Sequence, residues 1–392
     1  MYRKSVKRVY RRLFVFGFIC IFILTPSFAL ADTRRSYLLT FILENQNSSN
    51  GGFYEYGTDD SSAEDTSLRA TQCSVNVLNM LSELEDPQIT SSETRLTNYF
   101  MDEITPSIND NNTQRLMYSL QGLDLLGKIE TIDSPLQNDI TEYLASCKEI
   151  YGTAIGYAYS PDEELNATVW GTYFIINCYY HLDLLAVVSE AGVSQYLISC
   201  IDDASTGKGF KSNISSGEIS LVNTFYGLQT LQVLERVSQI SEVVRTSIQD
   251  YVDSFYVDDE NQDDHYGGYA ITILNELPFT TMLPTYYATF CRTALFGSNE
   301  VLQATKDWVL NLHNPQDGGF MDNVIPGQEQ HSSTIISYYA TAILALDDPE
   351  LTILEENVWE SDINWWLVVG IIALVSACIV AAIIGYRRRY QI

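Results

Sequence analysis

Oxygen donors crowd one acidic segment, Asp258-Asp259-Glu260-Asn261-Gln262-Asp263-Asp264. Asp259, Asn261 and Asp263 match ligand positions one, three and five of a calcium loop. Asp264 stands where that loop needs glycine, and Ala270 where it needs a bidentate glutamate. The segment therefore reads first as a solvated charged loop and second as a weak Ca²⁺ candidate. Four histidines, His181, His265, His313 and His331, share no metal-ligand spacing, although His265 and His331 both lie near glycine segments. No metal site, cofactor motif or catalytic residue is assigned from these groups.

A second constellation is aromatic. Tyr118, Tyr173, Phe225, Tyr286 and Tyr338 recur at intervals of 55, 52, 61 and 52 residues, each within an apolar helical pattern. Such a register has two readings. The rings line a central funnel and hold an apolar ligand, or they pack helix against helix as core. The register breaks in the first repeat, near Arg69.

Those helices are spaced by a glycine motif. Gly51-Gly52-Phe53, Gly156-Tyr157, Gly209-Phe210, Gly267-Gly268-Tyr269 and Gly318-Gly319-Phe320 place their aromatics 104, 53, 59 and 51 residues apart. The first gap is two periods, so a copy near residue 105 has lost its glycines. Six units of about fifty residues result, and such a period marks a repeat architecture. Each unit reads helix, glycine turn, helix. Lys306 to Leu312 and Ser332 to Leu346 flank the last turn; Tyr37 to Leu43 and Ser67 to Leu81 flank the first. Hairpins that cannot bury their faces alone need neighbours. Without a polar capping unit at either end, the pattern predicts a closed double ring. The fold class is all-α, an (α/α)6 toroid of six helical hairpins, with unit one packed on unit six and no sheet in the glycine segments.

Asn45-Gln-Asn-Ser-Ser-Asn-Gly-Gly-Phe53 and Asn314-Pro-Gln-Asp-Gly-Gly-Phe320 resemble the prenyltransferase and squalene-cyclase repeat. The resemblance covers nearly all of Asp32 to Pro349 and implies an α/α toroid with six inner and six outer helices. The family's transferases hold zinc with an Asp-x-Cys pair at the fifth inner helix and a histidine in the sixth. Here the fifth begins Thr280-Thr281-Met282-Leu283-Pro284-Thr285-Tyr286, without that pair, and Cys291 lies more than a turn further on. Pro326-Gly327-Gln-Glu-Gln-His331-Ser-Ser-Thr334 is similar to the family's second block, with His331 at its Asp and Thr334 at its histidine. Neither Pro nor Thr is a soft zinc ligand. The cyclases' Asp-x-Asp-Asp and the thioester toroids' Cys-Gly-Glu-Gln are not found in the sequence. Glycan-cleaving toroids use two carboxylates across a cleft, and no pair stands out.

The two ends read as targeting segments. A basic stretch from Arg3 to Arg12, an apolar run from Leu13 to Leu24 and Ala29-Leu30-Ala31 make residues 1–31 a cleaved signal peptide. Trp365 to Ile384 is uncharged and long enough to cross a bilayer, and Arg387, Arg388 and Arg389 follow it. The expected layout is signal peptide (1–31), toroid (32–349), acidic juxtamembrane linker (350–364), transmembrane helix (365–386) and basic cytoplasmic tail (387–392). That is a single-pass type I protein at the cell surface or on the extracytoplasmic side of a membrane, held in the lipid bilayer by its C-terminal helix.

Charge follows from this layout. The whole chain has 22 basic and 50 acidic residues, a net −28. Nine basic residues and no acids fall in the terminal segments, leaving 13 against 50, or −37, for the ectodomain. Such a surface repels nucleic acid. Cys73, Cys147, Cys178, Cys200 and Cys291 are odd in number and scattered. They are no disulfide framework; one bridge or buried free thiols both fit. Sequons at Asn47, Asn111, Asn166 and Asn213 are compatible with glycosylation.

The leading functional expectation is a non-enzymatic ectodomain that binds a protein partner or an apolar small molecule. The alternative is a divergent prenyl- or terpenoid-processing enzyme, or a carbohydrate-active toroid. Acids clustered in a deep pocket favour the enzyme; a pocket of aromatic side chains favours binding.

Overall fold

A computed structural model describes residues 33–356 apart from 57–65, 162–165, 203–207, 217, 263, 275–276, 298–300 and 324–330. The signal peptide, the transmembrane helix and the basic tail expected from the sequence lie outside the described residues, as does Asp263. Among the described residues no helix is long and apolar enough to cross a membrane.

Twelve α-helices alternate in two roles among the described residues. The outer set is α1 (Arg34–Glu44), α3 (Pro87–Asn109), α5 (Ser134–Ser146), α7 (Glu190–Ser199), α9 (Glu242–Asp253) and α11 (Gln303–Asn311). The inner set is α2 (Leu68–Met80), α4 (Thr113–Leu125), α6 (Val169–His181), α8 (Leu221–Val233), α10 (Met282–Phe296) and α12 (Thr334–Asp347). Each inner helix packs on the next, and α12 packs on α2, so the inner ring is closed. Composition explains the division. Apolar residues surround α6, which buries Val169, Phe174, Ile175, Ile176 and Cys178, whereas α9 buries only Ile248 and Val252 on one stripe.

Every inner helix starts after a polar N-cap residue: Ser67, Asn112, Thr168, Ser220, Thr281 or Ser333. All but Thr281 accept a hydrogen bond from the first turn, which satisfies an amide the helix leaves open.

The glycine segments join each unit to its successor. Gly51, Gly267 and Gly318 have φ of +81°, +93° and +88°, a region that L side chains resist. A Cβ on Gly51 would lie 2.7 Å from the amide nitrogen of Leu96 in α3; one on Gly318 would lie 2.7 Å from the carbonyl carbon of Tyr37 in α1. Gly267 abuts Ala304 of α11 in the same way, while Gly156 and Gly209 lie against Tyr196 of α7 and Tyr251 of α9. The backbone of each turn thus rests on the outer helix of the following unit.

The aromatic after each glycine is tied inward by one repeated hydrogen bond. The amides of Phe53, Tyr157, Phe210, Tyr269 and Phe320 donate to the hydroxyls of Thr71, Thr172, Thr224, Thr285 and Ser337 at 2.9–3.1 Å. Each acceptor stands four residues after its N-cap. The aromatics themselves are 0–3% exposed, so an unpaired amide there would be costly.

Two expectations need correction. The missing glycine copy near residue 105 is not a degenerate turn. It lies within α3, a helix of 23 residues, and the connection to α4 is only Asp110-Asn111-Asn112 with Asn111 at φ +54°. Phe100 of α3 fills the space over Gly122 of α4, much as Phe210 lies over Gly227 in unit four. The glycine segments are also not free of sheet. Lys148–Tyr151 (β1) pairs antiparallel with Ala154–Tyr157 (β2), and Thr272–Leu274 (β3) with Leu277–Phe279 (β4). Single bridges join Gln46 to Phe53, Ile201 to Phe210, Tyr256 to Tyr269 and His313 to Phe320. A chain reversing between antiparallel helices brings two extended backbones side by side, and their buried amides pair.

Closure between the last unit and the first is specific. Tyr56 bridges Ser333, the amide of Thr334 donates to the carbonyl of Glu55 at 2.9 Å, and Thr334 Oγ1 donates to the carbonyl of Tyr54 at 3.0 Å. Arg69 of α2 donates to the hydroxyl of Tyr339 in α12. Cys73, Cys178, Cys200 and Cys291 are buried free thiols, and Cys147 is buried as well.

Candidate functional site: an aromatic cavity inside the inner ring

The inner helices enclose a cavity of about 490 Å³. Counting from each N-cap explains its walls. The fifth residue after the cap is Gln72, Met117, Tyr173, Phe225, Tyr286 or Tyr338; the sixth is Cys73, Tyr118, Phe174, Tyr226, Tyr287 or Tyr339. All twelve line the cavity. The five aromatics picked from the sequence are therefore all wall residues. Tyr118 belongs to the second row, one residue out of register with the other four. The N-cap sets the phase, and α4 starts directly after its outer helix without a glycine turn.

The rows interlock. Tyr173 meets Tyr226 at a ring-centroid distance of 4.6 Å, Phe225 meets Tyr287 at 4.4 Å, and Tyr286 meets Tyr339 at 5.1 Å. Each pair joins the fifth position of one helix to the sixth of the next, at distances that favour aromatic contact. The same rings are thus both core and cavity wall. The second row was legible in the sequence as the doublets Tyr173-Phe174, Phe225-Tyr226, Tyr286-Tyr287 and Tyr338-Tyr339.

Polarity is graded along the cavity. The aromatic end is buried, with Phe174, Phe225 and Tyr287 at 1%, 3% and 8% exposure. About one turn on, the wall carries the carboxamides of Gln121, Asn177 and Gln229. At the C-terminal ends of the helices Tyr180, Gln232 and Glu235 are exposed and form the mouth. His181 also lies there, its Nδ1 2.9 Å from Asp124 Oδ2. Glu235 is the one carboxylate among the described lining residues.

The aromatic end has little acid–base capacity. Burial pushes the hydroxyls of Tyr173, Tyr286 and Tyr338 well above their ordinary range and the Cys73 thiol up to about 12. Burial disfavours the charged form of each, so phenols and thiol stay protonated at neutral pH. Several hydroxyls already have partners: Tyr286 bonds Tyr338, Tyr287 bonds Tyr226, and Tyr118 accepts from Gln114 Nε2 at 2.7 Å. Arg69 is the cation of this end, its Cζ 5.9 Å from the ring centroid of Tyr339.

The positions where the resemblance implies zinc ligands have other duties. Thr285 Oγ1 accepts the Tyr269 amide, and Thr334 Oγ1 caps the backbone of Tyr54. Pro284 is buried in the first turn of α10. A hydroxyl already bonded to backbone is not a zinc ligand set, so the residues present do not fit that metal. Among the described residues no three His, Cys, Asp or Glu side chains converge. In the acidic loop, the Asp259 carboxylate accepts from Asn261 at 2.7 Å and Gln262 at 3.1 Å, and those bonds hold its pKa below the usual range. His265 bonds Thr280 at 2.9 Å, and His331 is exposed.

With fold and cavity established, the family follows. The prenyltransferase alpha-alpha toroid domain matches residues 12–102, 94–219 and 162–370. The chain belongs to this family. Among solved structures it is similar to protein geranylgeranyltransferase-I of Candida albicans, complexed with GGPP, at 17% identity and TM-score 0.54, covering 74% of this chain and 87% of that one. It is also similar to a type II terpene cyclase from Scytonema, at 12% identity and TM-score 0.51 over 80% and 97%. An α-1,6-mannanase from Salegentibacter aligns at 10% identity and TM-score 0.50 over 82% and 98%. No curated protein sequence matches. The three solved toroids have unlike activities, so the shared fold leaves function to be argued from the cavity.

Proposed function

We propose that this chain is a membrane-anchored, extracytoplasmic toroid that binds an apolar small molecule in its central cavity without transforming it. One observation carries the binding half: the twelve wall positions nearest the aromatic end include nine aromatic rings and no group that exchanges a proton at neutral pH. The anchored half rests on the residue pattern at the two ends of the sequence.

Binding is tested with the full chain in lipid nanodiscs, empty nanodiscs serving as the reference. The neutral fluorophore N-phenyl-1-naphthylamine should bind and be displaced by apolar competitors. Phe225→Ala and Tyr286→Ala should each weaken it about tenfold, the equivalent of one aromatic contact of ~1.5 kcal/mol. Unchanged binding in both variants would remove the cavity from consideration. Topology is tested separately: protease added to intact cells should digest the toroid and spare the C-terminal tail. A protected toroid with an accessible tail contradicts the type I arrangement.

An enzymatic reading draws on the mouth instead. His181 and Asp124 are hydrogen-bonded there, and Glu235 lines the same opening. A histidine held by a carboxylate suits proton transfer. The divergent toroid enzyme is favoured if a compound bound in the cavity is converted by the native chain and not by His181→Gln.

A further inference from the structure

We propose that the ligand of this cavity has an apolar or aromatic body bearing a single carboxylate, and that Arg69 holds that carboxylate. The proposal rests on the reading of the cavity as a binding site.

Arg69 is singular in two respects. It stands two residues after its N-cap, where the other inner helices carry Gln114, Trp170, Val222, Leu283 and Ile335. No other Lys or Arg lines the cavity among the described residues. It has no acidic partner among the described residues, as is also true of Arg95 and Arg245 away from the cavity, whereas Arg34, Arg35, Arg115, Arg236 and Arg292 each pair with an Asp or Glu. The chain has 50 acids to 22 bases, so an arginine on the cavity wall with no acidic partner among the described residues runs against the composition of the chain.

The surroundings of Arg69 define what would complete it. One terminal nitrogen donates to Tyr339, and the Tyr339 ring lies 5.9 Å from Cζ. A guanidinium has five donors in a planar fork. A carboxylate meets two of them in parallel and supplies the missing charge. A diphosphate is a poorer match, because its several negative charges would face a single cation, with Glu235 at the mouth. The rings beside Arg69 are those of Tyr118 and Tyr339, which suits a flat or apolar body. The Gln121, Asn177 and Gln229 carboxamides lie toward the mouth and can bond a polar group at the far end of the ligand.

The test compares biphenyl-4-carboxylate with its neutral analogue biphenyl-4-methanol by calorimetric titration of the full chain in nanodiscs. The acid should bind about 10- to 100-fold tighter, as expected for a charge-assisted bidentate contact. In R69Q the two probes should bind alike, with the alcohol within about twofold of its native affinity. Phe225→Ala should weaken both probes together, and thermal melting confirms that each variant is folded. If R69Q does not fold, the acid-to-alcohol ratio of the native chain decides alone. Equal affinity for both probes in the native chain, or a preference that survives R69Q, overturns the carboxylate and leaves the cavity reading standing. If neither probe binds, the cavity reading falls and this inference with it.

Discussion

Gly318→Ala is expected to destabilise the ring by about 3 kcal/mol, with ~1–2 from backbone strain at positive φ and ~1–3 from overpacking. Both terms are present at this position. Gly318 has φ +88°, and its added methyl would press on the backbone of Tyr37, where the last unit meets the first. Main chain cannot swing aside as a side chain can. Gly127 and Gly297 provide the control. Their φ values are +64° and +62°, and nothing lies within 4 Å of an added Cβ. Alanine at either should destabilise by only about 1 kcal/mol. Urea unfolding of the three variants separates strain from close approach. Equal losses at Gly318 and Gly127 would mean that the glycine turns do not join one unit to the next.

Phe320→Ala should destabilise by about 3–5 kcal/mol, the range for removing a large buried aromatic. Phe320 is 0% exposed, its ring lies 5.3 Å from that of His313, and its amide bonds Ser337. Ser337→Ala should show the smaller loss of about 1–3 kcal/mol, because it strands one buried amide without opening a cavity. The location of the damage matters as much as its size. The turn that carries Phe320 rests on α1, so hydrogen exchange should accelerate first in α12 and α1. Acceleration spread evenly around the ring would contradict a turn that acts at one junction.

The family resemblance and the cavity differ in how far they were readable. The glycine–aromatic spacing was sufficient for the toroid, because a turn that must admit positive φ and bury a ring leaves its mark on residue type. The aromatic wall was half legible. Tyr173, Phe225, Tyr286 and Tyr338 fall on one row and the doublets mark the row beside it, but assigning Tyr118 to its row needs the N-caps. Tyr118 was placed one residue out of phase because unit two replaces its glycine turn with a longer α3. Helix length compensates for the missing turn, and length is a poor signal in a continuous amphipathic pattern.

Local chemistry, written in the chain itself, determined six helical units, the turns between them and the apolar rows of the inner helices. Each depends on residues close in sequence, through backbone torsion, capping and helical period. Tertiary structure decided the rest. Arg69 and Tyr339 are 270 residues apart, and only closure of the ring brings the cation onto the aromatic wall. The same closure sends Thr334 to the backbone of Tyr54 rather than leaving it facing the cavity as a ligand. Contacts between distant segments have no local signature, since they arise from packing six similar hairpins around one axis. For that reason the sequence could show a toroid with an aromatic register, while the placing of Arg69 on its aromatic wall became visible only in three dimensions.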